Sequence, residues 1–274
     1  MEPTEGCRLD ALLVQRGLAS GREKAKELLA AGAVTVNGRP VTKAAARVRP
    51  GDTVACSAAP PPYVGRGGYK LEKALDGQSL AGCMCLDVGA STGGFTDCML
   101  QHGAARVYAV DVGRGQLHPR LRADGRVTVL EGTDIRAPEL AAVLPAQGID
   151  LASVDVSFIS LTHVLPAVLP YLKPEGRLVC LIKPQFEAGR AAVGKGGIVR
   201  DRRVHRRVLE SRLVAMQALG LTAERLTWSP ITGGEGNIEY LAVLRKGTAR
   251  PLPQPPEAVV DAAFAALYPT VKDR

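Results

Sequence analysis

Met84-Cys85-Leu86-Asp87-Val88-Gly89-Ala90-Ser91-Thr92-Gly93-Gly94-Phe95 is the stretch on which the fold turns. Met84–Val88 is a short, mostly apolar run of the kind found in strands buried on both faces. It passes directly into small residues that let a backbone turn tightly into a helix and come close to a ligand. The spacing is D-x-G-x-x-x-G rather than the G-x-G-x-x-G of dinucleotide sites, which weakens a pyrophosphate reading. Working outward, short apolar runs recur at 107–110, 127–130, 151–156 and 178–182, with helical segments between them. Alternation of this kind predicts right-handed crossovers and a parallel sheet. Two further runs, 223–228 and 240–244, are joined by the turn-rich 231–237. That connection is too short for a crossover helix, so the last strand should run antiparallel. Val259, Val260, Ala263, Phe264 and Leu267 then suggest a closing helix. The fold class is α/β, with a Rossmann-like sheet.

The first three strand ends each carry an acid. Asp87 ends the first, Asp111 follows the second, and Asp134 lies beyond the third in Thr133-Asp134-Ile135. An acid after the second strand can accept ribose hydroxyls, and three such acids suit a neutral or cationic nucleoside better than a polyphosphate. Gly89-Ala90-Ser91-Thr92-Gly93 also fits the G-x-S-x-G nucleophile elbow, but His163 and His205 lie in no recognisable triad setting. The run 189–196, GRAAVGKG, nearly fits a P-loop. Its last position offers no hydroxyl for magnesium, so it reads as a mobile, basic lid.

Towards the N-terminus the chain divides at Ala58-Ala59-Pro60-Pro61-Pro62, where three prolines favour a stiff, extended connector. The expected domains are 1–59, a linker 60–68, and 69–274. In the first, Leu9, Leu12 and Leu13 repeat at helical spacing, and Ser20 with Glu23 forms a capping box for a second helix ended by Gly32. Asn37-Gly38 between Val34-Thr35-Val36 and Arg39-Pro40-Val41 is a strong hairpin signal, and Pro50-Gly51-Asp52 marks a further turn. This predicts a small α+β unit.

The 274 residues are 46 % apolar and 23 % charged, enough for a sizeable core and unlike a disordered chain. The longest charge-free apolar run, 156–172, is broken by Pro166 and Pro170 and falls short of a bilayer span. No secretory signal opens the chain, and six scattered cysteines do not make a disulfide framework or a metal-ligand spacing. A cytoplasmic protein is expected, with no membrane contact and no metal. The net charge is +8. Nine basic and six acidic residues lie in 1–59, and seven basic against two acidic lie in 187–207. Two separate basic patches point to a polyanionic partner.

Arg8-Leu9-Asp10, Ser20-Gly21-Arg22-Glu23-Lys24-Ala25 and Val34-Thr35-Val36-Asn37-Gly38 resemble the S4 RNA-binding domain. Gly67-Gly68-Tyr69-Lys70-Leu71, the D-V-G-A-S-T-G-G-F loop, Val154-Asp155-Val156-Ser157-Phe158-Ile159-Ser160, Ile182-Lys183-Pro184-Gln185-Phe186 and Gly236-Asn237-Ile238-Glu239-Tyr240 resemble the TlyA family, some of whose members are called haemolysins. The resemblance spans nearly the whole chain in order. It implies an S4-like RNA-binding domain joined to an FtsJ-like class I methyltransferase domain. It implies S-adenosylmethionine as cofactor, ribosomal RNA or ribosomal subunits as partner, and methylation of a ribose 2′-hydroxyl, with cytidine the target. It also implies a Lys-Asp-Lys-Glu tetrad, here Lys70, Asp155, Lys183 and Glu239.

Cofactor contacts are then expected from Asp87, the loop 89–95, Asp111, Asp134 and Asp155. RNA contacts are expected from Arg8, Ser20, Arg22, Lys24, Lys26, Asn37 and Lys43 in the first domain and from Lys195 and Arg200 in the second. The residue types suit the chemistry. The methyl sulfonium is already electrophilic, so the enzyme must place a ribose oxygen in line with it and take up the proton. A lysine base must be neutral, which a second cation favours and an adjacent carboxylate opposes, so the tetrad titrates as a unit. Lys183 is the expected base; Lys70 would orient the oxygen, and the two acids would hold the lysines. The alternatives are a non-catalytic RNA-binding or assembly factor with the same fold and a membrane-active haemolysin, for which the sequence offers no amphipathic membrane helix.

Overall fold

The structure, a computed structural model, describes residues 7–19, 21–57, 61–247, 252 and 254–268. The chain divides into two compact units, Met1–Arg66 and Gly67–Arg274.

In the first unit, strand β1 (Cys7–Arg8) leads into helices α1 (Leu9–Gln15) and α2 (Arg22–Ala30). Strands β2 (Val34–Val36), β3 (Arg39–Pro40), β4 (Arg47–Val48) and β5 (Val54–Cys56) follow. β2 is the middle of a three-stranded antiparallel sheet, and β1 pairs with β4. Leu9, Leu12 and Leu13 of α1 and Ala25, Leu28 and Leu29 of α2 bury their helical stripes against Val34 and Val48. The β2–β3 turn has both central residues left-handed, Asn37 at φ 51° and Gly38 at φ 77°, as an Asn-Gly hairpin requires. The expected capping box rests on a residue that is not described. Ser20 lies outside the described residues, and α2 begins at Arg22 behind the extended Gly21, with no side-chain cap. Glu23 is therefore one position too early to reach back, and it pairs with Lys26 at 2.5 Å instead.

The second unit opens with helix α3 (Gly67–Leu75) and then alternates β6 (Met84–Val88), α4 (Gly94–Gln101), β7 (Arg106–Asp111), α5 (Pro119–Arg122), β8 (Val127–Glu131), β9 (Ile149–Val154), α6 (Leu161–Val168) and β10 (Leu172–Ile182). The short α7 (Pro184–Glu187), the long α8 (Arg202–Ala218), β11 (Leu221–Trp228), β12 (Tyr240–Lys246) and α9 (Pro256–Leu267) complete it. The seven strands stand in the order β11-β12-β10-β9-β6-β7-β8. β10, β9, β6, β7 and β8 are parallel, while β12 is antiparallel to both its neighbours. β10 starts six residues before the predicted run, with its register shifting between Leu172 and Arg177. The central strands are buried on both faces, as Leu86, Val88, Ala152, Val154, Cys180 and Ile182 show. β6 and β9 are neighbours although β7 and β8 lie between them in sequence. The strand order reverses there, and a crevice opens at the carboxyl ends of such strands.

Candidate active site

The antiparallel last strand decides which residues meet. Tyr240, the first residue of β12, pairs with Ile182, the last of β10, and Cys180 of β10 pairs with Val154, the last of β9. The residues flanking these ends, Glu239, Lys183 and Asp155, therefore share one edge of the sheet. Lys70 reaches the same place from α3, whose Leu71, Ala74 and Leu75 face the core. Lys70 Nζ lies 2.7 Å from Glu239 Oε2 and 3.8 Å from Asp155 Oδ2, and Lys183 Nζ lies 2.6 Å from Asp155 Oδ1. The last approach is poorly directed for a hydrogen bond, leaving Oδ1 held by charge alone. Lys183 also donates to Ser157 Oγ at 3.1 Å. Lys70, Lys183 and Glu239 are each under 10 % exposed. Four charged groups are thus linked Glu239–Lys70–Asp155–Lys183, two of each sign, which is how buried charges are tolerated.

Beside the tetrad a cleft of about 600 Å³ runs along the ends of β6, β7, β8 and β9, with Gly89, Asp111, Asp134, Ile135, Asp155 and Phe158 among its walls. This is within the range of small-ligand sites. Gly89 permits the approach of two strands: at φ 86°, a Cβ there would lie 2.2 Å from the Asp155 carbonyl oxygen. Asp111 accepts the amides of Ser91 and Gly113, both at 2.7 Å, so it ties the glycine loop to the next strand and keeps acceptor capacity on the cleft. Asp134 lines the cleft but is gripped by Arg136 through Nε (2.9 Å), a terminal nitrogen (2.6 Å) and the backbone amide (2.9 Å), which hold its carboxyl down at about 2. Apolar Val88, Val110, Val112, Ile135 and Val164 supply the remaining surface for a flat ring.

Other expected cofactor residues are placed differently. Asp87 is fully buried and does not line this cleft. Its oxygens accept the hydroxyls of Thr96 (2.7 Å) and Ser153 (2.8 Å), and burial pushes its carboxyl up to about 6. It braces the loop against β9 instead of meeting a ligand. Of the glycine loop, Gly89 and Ser91 line the cleft. Ala90 and Phe95 are buried, the carbonyl of Thr92 accepts the His118 amide, Gly93 turns at φ 94° against Leu117 and Leu121, and Gly94 starts α4.

Several residues of the site escape motif reading. Glu131 accepts three successive amides, Gly115, Gln116 and Leu117, at 2.8–2.9 Å, and so shapes the loop that brings Gln116 to the cleft. Phe158 is 90 % exposed at φ 65° and packs on Phe186 with ring centroids 4.9 Å apart. An exposed aromatic residue in a strained conformation is a signal that only coordinates supply. Glu187 accepts from Ser160 Oγ (2.7 Å), the Leu161 amide (2.8 Å) and Arg212 (3.0 Å), fixing the turn that carries Lys183 and Phe186. The basic segment after it is fixed at its far end, around Gly197 and Val199. Asn237 accepts the Val199 amide (3.0 Å) and donates to the Gly197 carbonyl (2.9 Å). His205 donates through Nε2 to the Val199 carbonyl (2.9 Å), which obliges Nδ1 to accept from the Tyr240 hydroxyl (2.8 Å). Among expected RNA residues, Lys195 and Arg200 are exposed on this segment.

In the first unit Arg22 and Lys43 are exposed with no ion pair among the described residues, as are Arg16 and Arg39, which the motifs did not single out. Arg8, Lys24 and Lys26 are exposed but engaged with Asp10, Glu27 and Glu23. Asn37 is committed within the unit: its amide donates to Asp52 and its oxygen accepts the Thr53 amide. That places it as a brace of the hairpin.

The FtsJ-like methyltransferase family model matches residues 63–246, and the S4 domain model matches residues 7–54. The chain belongs to the FtsJ-like methyltransferases. Within this family it is 44 % identical over 250 residues to the 16S/23S rRNA (cytidine-2′-O)-methyltransferase TlyA of Mycobacterium tuberculosis, covering 89 % of this chain and 92 % of that one. It is equally similar, at 44 % over 270 residues, to the YqxC protein of Bacillus subtilis, covering 97 % and 96 %. The solved structure of a candidate hemolysin from Streptococcus thermophilus superposes with a TM-score of 0.77 at 40 % identity, covering 99 % of this chain and 100 % of that one. The expected assignment to the TlyA group of FtsJ-like enzymes, with an S4 domain in front, is confirmed. No helix among the described residues is long and apolar enough to cross a membrane.

Proposed function

We propose that this methyltransferase transfers a methyl group from S-adenosylmethionine to a ribose 2′-hydroxyl of ribosomal RNA in the cytoplasm, with cytidine the target nucleotide. The observation that carries the reading is the meeting of Lys70, Asp155, Lys183 and Glu239 at the end of a nucleoside-sized cleft. The cleft fits the cofactor's adenosine: Asp111 offers acceptors to a ribose diol, and the valine and isoleucine walls accept a flat base. When bound, the cofactor supplies a sulfonium methyl that is electrophilic without further activation. The protein's task is to position the sugar oxygen and receive its proton. Lys183, joined to Asp155 and Ser157, takes that proton at Nζ. Lys70, anchored by Glu239, keeps its charge and steadies the oxygen as it becomes negative. Phe158 presents an exposed apolar face at the cleft and packs on Phe186, whose ring lies 5.9 Å from Lys183 Nζ. In the first unit, Arg22 and Lys43 supply charge for the phosphate backbone. Residues 1–59 contain no aromatic residue, so a folded RNA recognised by shape fits better than stacked single strands.

Transfer of radiolabelled methyl groups to ribosomal subunits tests the reading. The native chain should label ribose in rRNA, and Lys183→Ala should fall by more than about 100-fold while S-adenosylmethionine affinity stays within about threefold. RNA binding without labelling by the native protein would leave an assembly factor. A Lys183→Ala rate within tenfold of native would remove that lysine as the base.

A further inference from the structure

We propose that the methyltransferase unit grips RNA through a ridge of its own on α8, formed by Arg203 and Arg207 and continued by Arg200 and Lys195. This rests on the RNA-substrate reading above. The arginines of the segment fall into two classes. Arg202 is bound to Asp261 at 3.0 Å, Arg206 to Glu257 at 3.3 Å and Glu210 at 3.4 Å, and Arg212 to Glu187 at 3.0 Å. These join α8 to α9 and to the turn after β10. Arg203, Arg207, Arg200 and Lys195 are exposed and, among the described residues, make no ion pair or side-chain hydrogen bond. The helix itself separates the classes. Val204, His205, Val208, Leu209 and Met216 face the core, and positions 203 and 207, four apart, fall on the opposite stripe. Their Cα atoms are about 6 Å apart along the axis. Asp201, two residues before Arg203, serves as the N-cap, accepting the Arg203 amide at 2.8 Å, and Glu210, three residues after Arg207, pairs with Arg206 at 3.4 Å.

Uncommitted guanidinium groups in a row suit phosphate oxygens, which they bind in a fork. A membrane surface fits less well, because the apolar face of α8 is consumed by the core and the ridge offers only Val214 for insertion. The ridge also has a fixed relation to the chemistry. Val199, just before Arg200, is held by Asn237 and His205, and Asn237 stands two residues before Glu239. A phosphate held here is thereby registered against the tetrad.

The test uses the full chain, an in vitro transcript of ribosomal RNA, and two double variants that remove the same charge. R203Q/R207Q should lose on the order of tenfold in affinity, and its plot of log affinity against log salt should be shallower by about 1.5, the value for two lost phosphate contacts. KM for RNA should rise while kcat and S-adenosylmethionine affinity hold. R202Q/R206Q, drawn from the ion-paired class, should keep the native slope. Equal slopes for native and R203Q/R207Q, or the same loss in both variants, would overturn the ridge. So would a loss confined to vesicles of anionic phospholipid. If native protein binds the transcript with the full slope but transfers no methyl, the enzymatic reading fails and the ridge stands; if it methylates and R203Q/R207Q is unimpaired, the ridge alone fails.

Discussion

Gly89 occupies a point where even a methyl group has no room. Alanine there would press a carbon against the Asp155 carbonyl and force a side chain into left-handed backbone. Gly89→Ala should cost about 1–3 kcal/mol of stability, read by thermal melting, and more than tenfold in methyl transfer, because the displaced residue is a tetrad member. Asp87, two positions earlier, is a motif residue whose partners lie inside the protein. Its carboxyl is raised from 3.8 to about 6 by burial, so it binds protons more tightly in the folded chain than in the unfolded one. Its stabilising contribution is complete below about pH 3.8 and is lost as pH rises through about 6. Asp87→Asn, neutral throughout, should melt above the native protein at pH 8 by a margin of order 2 kcal/mol, closing by pH 4. A constant gap across that range would show that ionisation is not the cause. Sequence could place Asp87 at a strand end but not foresee its orientation, since strand faces are assigned by neighbours far along the chain.

The elements were legible wherever periodicity is strong. The strands at 84–88, 107–110 and 240–244 fall within β6, β7 and β12, and the antiparallel sense of β12 follows from the brevity of the loop before it. Less legible was α3, where Gly67-Gly68 discourages a helix that tertiary packing of Leu71 and Leu75 secures. The start of α2 falls at Arg22, one residue later than the S-x-x-E pattern places it. Glu187 illustrates what pattern cannot reach, a carboxylate joining the start of α6, the turn after β10 and Arg212 of α8. Glu187→Ala should destabilise the chain by about 2 kcal/mol, because Ser160, the Leu161 amide and the half-buried Arg212 lose a shared acceptor. It should also lower kcat more than it raises KM for S-adenosylmethionine, since the turn carries Lys183 while the cofactor walls belong to other strands. An unchanged kcat in protein that is still folded would separate the turn from catalysis.

At the scale of the molecule, the proposed function gives the first unit a share of the RNA anchoring and leaves the chemistry to the second. Arg22→Glu with Lys43→Glu should weaken binding to ribosomal particles by at least tenfold and leave calorimetric affinity for S-adenosylmethionine untouched. Equal binding would count against the first unit as an anchor. The four tetrad residues, spread from position 70 to 239, were each visible within short motifs. Their linkage was not, because it depends on strand order rather than on local spacing. One more contact belongs to this scale. Trp228, the only tryptophan of the chain, ends β11 opposite Tyr240, and Lys73, one helical turn beyond Lys70, rests its ammonium 3.7 Å from the centre of the indole. The protein thus carries a single indole at the shoulder of its chemistry, and its emission, excited apart from the tyrosines, would report without any label each event that shifts α3 against the sheet.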